Sequence, residues 1–325
     1  MKVMWKIALV VVLFVLMLMV SLSVGEVEKL FVKLFGIGGA TFTETDVLIL
    51  SEIRMPRVLM AIGVGAMLSM SGMVMQSMFR NPLVEPYTMG LSGGAVLGVA
   101  IAYTLGITNI GSAGVTIMAM LGAMFTMVLV LLLRRVMQFD INKMLLSGVM
   151  ISFATSSVTL LLMSLTTREN MSQIIMWNMG SLDVSSKQIA YFVVIEAIVM
   201  AVVLPFMGEV MNVMSVSENL ARHVGIRVQY VVPLFFVVAT LMAAVSVSFV
   251  GVIAFVGMIV PHIVRLLFGY DHRLTLVMSA LCGGLFMMMC DVVSRLIIYP
   301  QEIPTGVMCG IIGGAMFIYL TAKRR

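Results

Sequence analysis

Three histidines, three cysteines and 35 methionines carry the most versatile chemistry in this 325-residue chain. Their spacing limits what they can do. His223, His262 and His272 are scattered, no His-Glu-x-x-His occurs, and Cys282, Cys290 and Cys309 show no Cys-x-x-Cys pattern. Hydrolytic or zinc chemistry and a disulfide framework therefore have no constellation, and the cysteines read as small core residues. No Gly-Lys dipeptide occurs, so the chain has no phosphate-binding loop of its own. Uphill work would need energy from another chain or from an ion gradient. Thioethers select copper(I), and Met67, Met70, Met73, Met75 and Met78 crowd one stretch. Methionine recurs in most apolar runs, however, and is a flexible apolar filler, so no metal or cofactor is expected.

Charged residues are few enough to weigh singly. Glu196 stands midway along an apolar run, where a charge costs at least ~2.5–3.5 kcal/mol on insertion scales. It reads first as a hydrogen-bonded or protonated carboxyl between helices. The alternative is a proton-coupled secondary transporter using Glu196. Asp291 lies one helical turn before Arg295, which suggests an ion pair.

These residues must be positioned by elements suited to lipid. The sequence is 61% apolar and 11% charged, whereas a soluble domain carries about a quarter charged residues. A span needs ~20 mostly apolar residues, and suitable runs begin near residues 7, 56, 87, 113, 144, 188, 230, 252, 274 and 305. The expected fold is an all-α polytopic membrane protein of about ten transmembrane helices, a single permease-like domain over 1–325. The first run, about 7–24, is long for a signal peptide and lacks a clear cleavage site, so it counts as a span. Glycines and prolines at 90–94 and 251–261 suggest short or broken helices, tolerated only where protein or a water-filled path covers the backbone.

Of the 20 lysines and arginines, seven fall on one side (Lys29, Lys33, Arg54, Arg57, Arg168, Lys187, Arg295) and the other thirteen on the side of Lys2. The positive-inside rule then puts both termini in the cytoplasm. Two polar segments exceed a turn. The outer one, 25–53, is expected to lie partly along the membrane surface. The inner one, 208–229, carries Ser217 as a candidate N-cap and Gly225 as a stop for a short helix. Small residues in the second, third and tenth spans (Gly63, Gly65, Ser69 and Gly72; Gly90, Gly93, Gly94 and Gly98; Gly310, Gly313 and Gly314) suit close helix packing.

Arg-Met-Pro-Arg-Val-Leu (54–59), Arg-Asn-Pro-Leu-Val-Glu-Pro (80–86), Leu-Ser-Gly-Gly-Ala (91–95), Ala-Arg-His-Val-Gly-Ile (221–226), Phe-Val-Gly-Met-Ile-Val-Pro-His-Ile-Val-Arg (255–265) and Glu-Ile-Pro-Thr-Gly-Val (302–307) form an ordered series. Together they resemble the FecCD-type permeases, the membrane subunits of ABC importers for iron-siderophores, haem and vitamin B12. The resemblance implies a BtuC-like permease fold in the cell (inner) membrane. It also implies a homodimer with two ATP-binding subunits on the cytoplasmic side and an extracytoplasmic substrate-binding protein. The chain would be no enzyme, since ATP hydrolysis belongs to the separate ATPase. The cargo would be a metal chelate, ferric siderophore first, then haem or cobalamin, moved by alternating access.

Site residues follow from the same likeness. Arg54, Arg57 and Arg295, on the side where basic residues are disfavoured, would receive carboxylates of the binding protein through their guanidinium forks. Glu218, Asn219, Leu220, Ala221, Arg222, His223, Val224 and Gly225 would form the helix that couples to the ATPase. Asn81, Pro82 and Leu83 would line the cytoplasmic gate with Ile141 and Asn142.

Overall fold

The computed structural model describes residues 2–24, 43–107, 112–136, 141–183, 186–298 and 301–322. Every regular element among them is helical. In order they are α1 (Lys2–Ser23), α2 (Glu44–Leu48), α3 (Met55–Phe79), α4 (Leu91–Thr104), α5 (Ser112–Val136), α6 (Ile141–Leu165), α7 (Arg168–Asn178), α8 (Lys187–Val203), α9 (Gly208–Val216), α10 (Glu218–His223), α11 (Val228–Val250), α12 (Val256–Phe268), α13 (His272–Leu296) and α14 (Thr305–Ala322). Among the described residues seven helical stretches are long and apolar enough to cross a membrane, and α4, α12 and α14 supply shorter apolar helices. The short ones sit where glycine and proline interrupted the apolar pattern.

Part of the outer polar segment is described. Residues 25–42 lie outside the described residues, but α2 runs through one π-helical stretch, Ile49–Arg54, directly into α3. Thr43 and Asp46 form a reciprocal capping box at its start, which satisfies backbone donors that a surface loop would leave to water. This stretch is therefore helical and continuous with the second span.

α3 is the hub, buried along almost its whole length. It packs on α13, α8, α11 and α12. Close approach explains its small residues: a Cβ on Gly65 would overlap the Gly283 carbonyl of α13, and one on Gly72 the Gly257 carbonyl of α12. Without a hydrophobic drive between helices in lipid, such backbone contact supplies the van der Waals attraction. A second pairing joins α4 to α5 through Gly94 and Gly122. The tenth run is mixed: a Cβ on Gly313 would lie 2.6 Å from Phe255 Cβ, whereas nothing in the described chain comes within 4 Å of a Cβ on Gly310.

The α11–α12 connection is unwound at 251–254 and turns on Phe255, a non-glycine residue at φ 71°. Its backbone is nonetheless partnered. Ser181 N–H donates to Val250 O at 2.8 Å, and the Phe255 N–H meets the buried Glu85 carboxylate. Pro261, inside α12, leaves the Gly257 carbonyl without its helical donor. The Gln76 amide donates there at 3.1 Å, and to Met258 O at 3.0 Å.

Gly72→Leu should therefore force α3 from α12 at a cost of ~1–3 kcal/mol or more, seen as a lower unfolding temperature in detergent. Gly310→Ala, in open space, should leave it within the range of an ordinary surface change.

Candidate functional site

At one end of the bundle the ends of α1 and α13 meet the start of α3. α1 carries no basic residue in its last turn, so its final carbonyls need donors and its negative dipole end needs a cation from elsewhere. Arg54 Nη1 donates to Leu22 O at 2.8 Å and to Ser23 O at 3.0 Å. Arg295 Nη1 donates to Val24 O at 2.7 Å and Nη2 to Ser21 O at 3.2 Å. Both are buried, 6% and 8% exposed. Arg57 sits nearer the surface, its Nε donating to Asp291 Oδ1 at 2.8 Å and its Nη1 to Glu302 Oε2 at 2.7 Å. Asp291 is wholly buried and also lies 2.9 Å from Arg295 Nη2, while Glu302 is half exposed. The three arginines thus come together, but two of them hold the end of α1, a task that sequence reasoning missed. The lack of a terminal cation in α1 was the available signal.

At the opposite end, α9 and α10 form the inner segment. Ser217 occupies the N-cap position in extended backbone, and its carbonyl accepts Ala221 N–H at 3.1 Å, with no side-chain cap. The end of α10 is a paired-bond turn: Ile226 N–H reaches Ala221 O at 2.9 Å and Gly225 N–H reaches Arg222 O at 3.1 Å. That geometry needs a left-handed residue, and Gly225 has φ 87°. Arg222 pairs with Glu218 at 2.7 Å, and the Glu218 charge also acts on Arg134 at the end of α5. Ala221 is buried, whereas Leu220 and Val224 stand exposed.

The expected gate begins where Arg80, left-handed at φ 51°, ends α3. Asn81 Oδ1 accepts Leu83 N–H at 3.0 Å and Asn81 O accepts Val84 N–H at 3.3 Å, a side-chain-supported turn. Leu83 is half exposed. Asn81 and Pro82 border a cavity of about 270 Å³ that is also lined by Gln76, Ser77, His262 and Arg265. Ile141 and Asn142 open α6, and their side chains lie outside the described residues. Between α4, α6 and α7 a second cleft of about 370 Å³ is lined by Ser92, Ser156, Thr159 and Asn178 among apolar residues, with no charged group.

Residues 9–323 match the FecCD transport family. The chain belongs to that family. It is 34% identical over 278 residues to the "Probable iron chelatin transport system permease protein" of Helicobacter pylori, covering 86% of this chain and 83% of that one. It is 33% identical over 288 residues to the "Vitamin B12 import system permease protein BtuC" of Citrobacter koseri, covering 88% and 87%. A solved structure described as an inward-facing metal-chelate type ABC transporter superposes with a TM-score of 0.86 at 27% identity, covering 97% of both chains.

As a FecCD transport family member the protein is a multi-pass inner-membrane permease and not an enzyme, with ATP hydrolysis on a separate subunit. Family membership does not favour the proton-carrier alternative. Glu196, on α8, has one buried carboxylate oxygen without a hydrogen-bond partner, and no second ionisable residue follows it in α8 to continue a relay. The family signature also hid a polar cluster at the α10 end of the bundle. Gln76 is bound by Arg265, Ser77 by His272, and Asn212 Oδ1 accepts His272 N–H at 2.8 Å. Only the orphaned Gly257 carbonyl, implied by Pro261, pointed toward any of it.

Asp291→Ala should leave the buried Arg295 guanidinium without its counter-charge and Arg57 with Glu302 alone, a loss of ~3–5 kcal/mol as for a broken buried pair. Glu302→Ala, at an exposed pair, should cost under about 1 kcal/mol. Thermal unfolding of the purified protein in detergent compares the two.

Proposed function

We propose that this permease carries a metal chelate, a ferric siderophore foremost and haem or cobalamin next, as one half of a homodimer served by two ATPase subunits and an extracytoplasmic binding protein. The near full-length likeness to a metal-chelate type transporter, 97% of both chains at a TM-score of 0.86, carries this reading. The named substrates of the Helicobacter and Citrobacter relatives, iron chelatin and vitamin B12, are of the same class. The charge-free cleft between α4, α6 and α7 suits a bulky chelate that must pass without being held.

In this mechanism the loaded binding protein docks at the arginine cluster, with Arg57 as the group that exchanges Glu302 for an incoming carboxylate. Arg54 and Arg295 support the site by fixing α1. The ATPases seat on Glu218 to Gly225 and, on closing, push that segment as a rigid body. Asn81, Pro82 and Leu83, with Ile141 and Asn142, open to the cytoplasm, where both termini lie.

Proteoliposomes containing the permease, its ATPase and loaded binding protein should take up the chelate only when ATP is present. Uptake driven by a pH gradient without ATP would overturn the reading in favour of Glu196. Arg57→Ala should weaken binding-protein affinity about tenfold, as loss of a central arginine anchor does, while Glu302→Ala should not weaken it; titration with labelled binding protein measures both.

A further inference from the structure

The importer reading requires motion at α10 to reach the turn at Asn81, and one chain of hydrogen bonds joins the two places. α9 runs into α10 through Ser217 alone. It is fixed to the start of α13 at three positions. Gly208 lies so close that a Cβ there would meet Arg273 N at 2.9 Å, Glu209 pairs with Arg273, and Asn212 bridges two residues. Asn212 Nδ2 donates to Asp271 Oδ1 at 2.9 Å, while its Oδ1 accepts His272 N–H at 2.8 Å and lies 2.7 Å from His272 Nδ1.

Donor counting fixes the rest. The carboxylate of Asp271 can only accept, so the Asn212 nitrogen must face it and the oxygen must face His272. His272 Nδ1 then carries the proton, and Nε2 faces the Ser77 hydroxyl on α3, whose single hydrogen is shared between that ring nitrogen and Met73 O, 2.7 Å away. His272 is 2% exposed and Ser77 4%, so the contact between them is buried, while the Asn212 end of the chain is part-exposed. The exposed Glu209–Arg273 pair adds little by comparison. Ser77 lies one turn before Arg80, where α3 ends and the turn begins. Its neighbour Gln76 ties the same turn of α3 to α12 through Gly257 and Arg265.

We propose that Asn212 and His272 are positioning residues that transmit movement of the coupling segment to the end of α3, through Ser77, and so to the gate. They touch neither substrate nor nucleotide. This proposal rests on the importer reading and specifies how its two cytoplasmic sites communicate.

The test uses the complete transporter in proteoliposomes, measuring ATP hydrolysis and chelate uptake together. Asn212→Ala, His272→Ala and Ser77→Ala should each keep binding-protein-stimulated hydrolysis within about twofold while uptake per ATP falls about tenfold, the scale of an ordinary coupling free energy. Ser77→Ala removes one oxygen only and serves as the mild variant if the others fold poorly. Because one relay is broken only once, the Asn212→Ala, Ser77→Ala double variant should lose no more than either single one. Unchanged uptake per ATP in Ser77→Ala, or losses that multiply in the double variant, would overturn the proposal. A wild-type complex that shows no ATP-driven uptake would instead remove the importer reading, and the relay with it.

Discussion

In an apolar solvent every backbone N–H and C=O must find its partner inside the protein, and three interruptions of helices among the described residues are answered by specific side chains. Pro261 strips the Gly257 carbonyl of its donor and Gln76 supplies another. The end of α1 leaves carbonyls exposed and two arginines, distant in sequence, cover them. The unwound connection before α12 leaves the Phe255 N–H to the buried carboxylate of Glu85. These contacts are what allow short, broken helices to exist beside full-length ones.

The same constraint explains why α3 occupies the centre. Helices in lipid gain little by hiding apolar surface from one another, so attraction depends on how closely their backbones approach. Gly65 against Gly283 and Gly72 against Gly257 bring α13 and α12 onto α3 at two levels. Its two ends lie at Arg54 and Arg57 on one side and at Ser77 and Arg80 on the other.

Polar chemistry is concentrated at these ends because a charge in the interior is costly. The outer cluster balances Arg57 and Arg295 on Asp291, with Glu302 half exposed at its edge. The inner cluster is largely uncharged at its buried joint, an amide, an imidazole and a hydroxyl, with its ion pair left in solvent. Directional hydrogen bonds fix relative position where a solvated ion pair would tolerate sliding.

Composition and run length by themselves determined the solvent, the helical class and the positions of most spans, since a bilayer demands long apolar runs whatever the tertiary arrangement. The motif series from Arg54 to Val307 also carried the family, and Gly225 was legible as a stop because few residues accept its backbone conformation. Tertiary structure alone decided which partners the polar groups took. Arg54 and Arg295 read as ligands for another protein because nothing local said that α1, some thirty residues before Arg54 and some 270 before Arg295, would end beside them. Asn212 and His272, 60 residues apart, gave no periodic or spacing signal at all. Apolar burial is written in local pattern, whereas a hydrogen bond between distant segments depends on a fold that brings them within three ångströms.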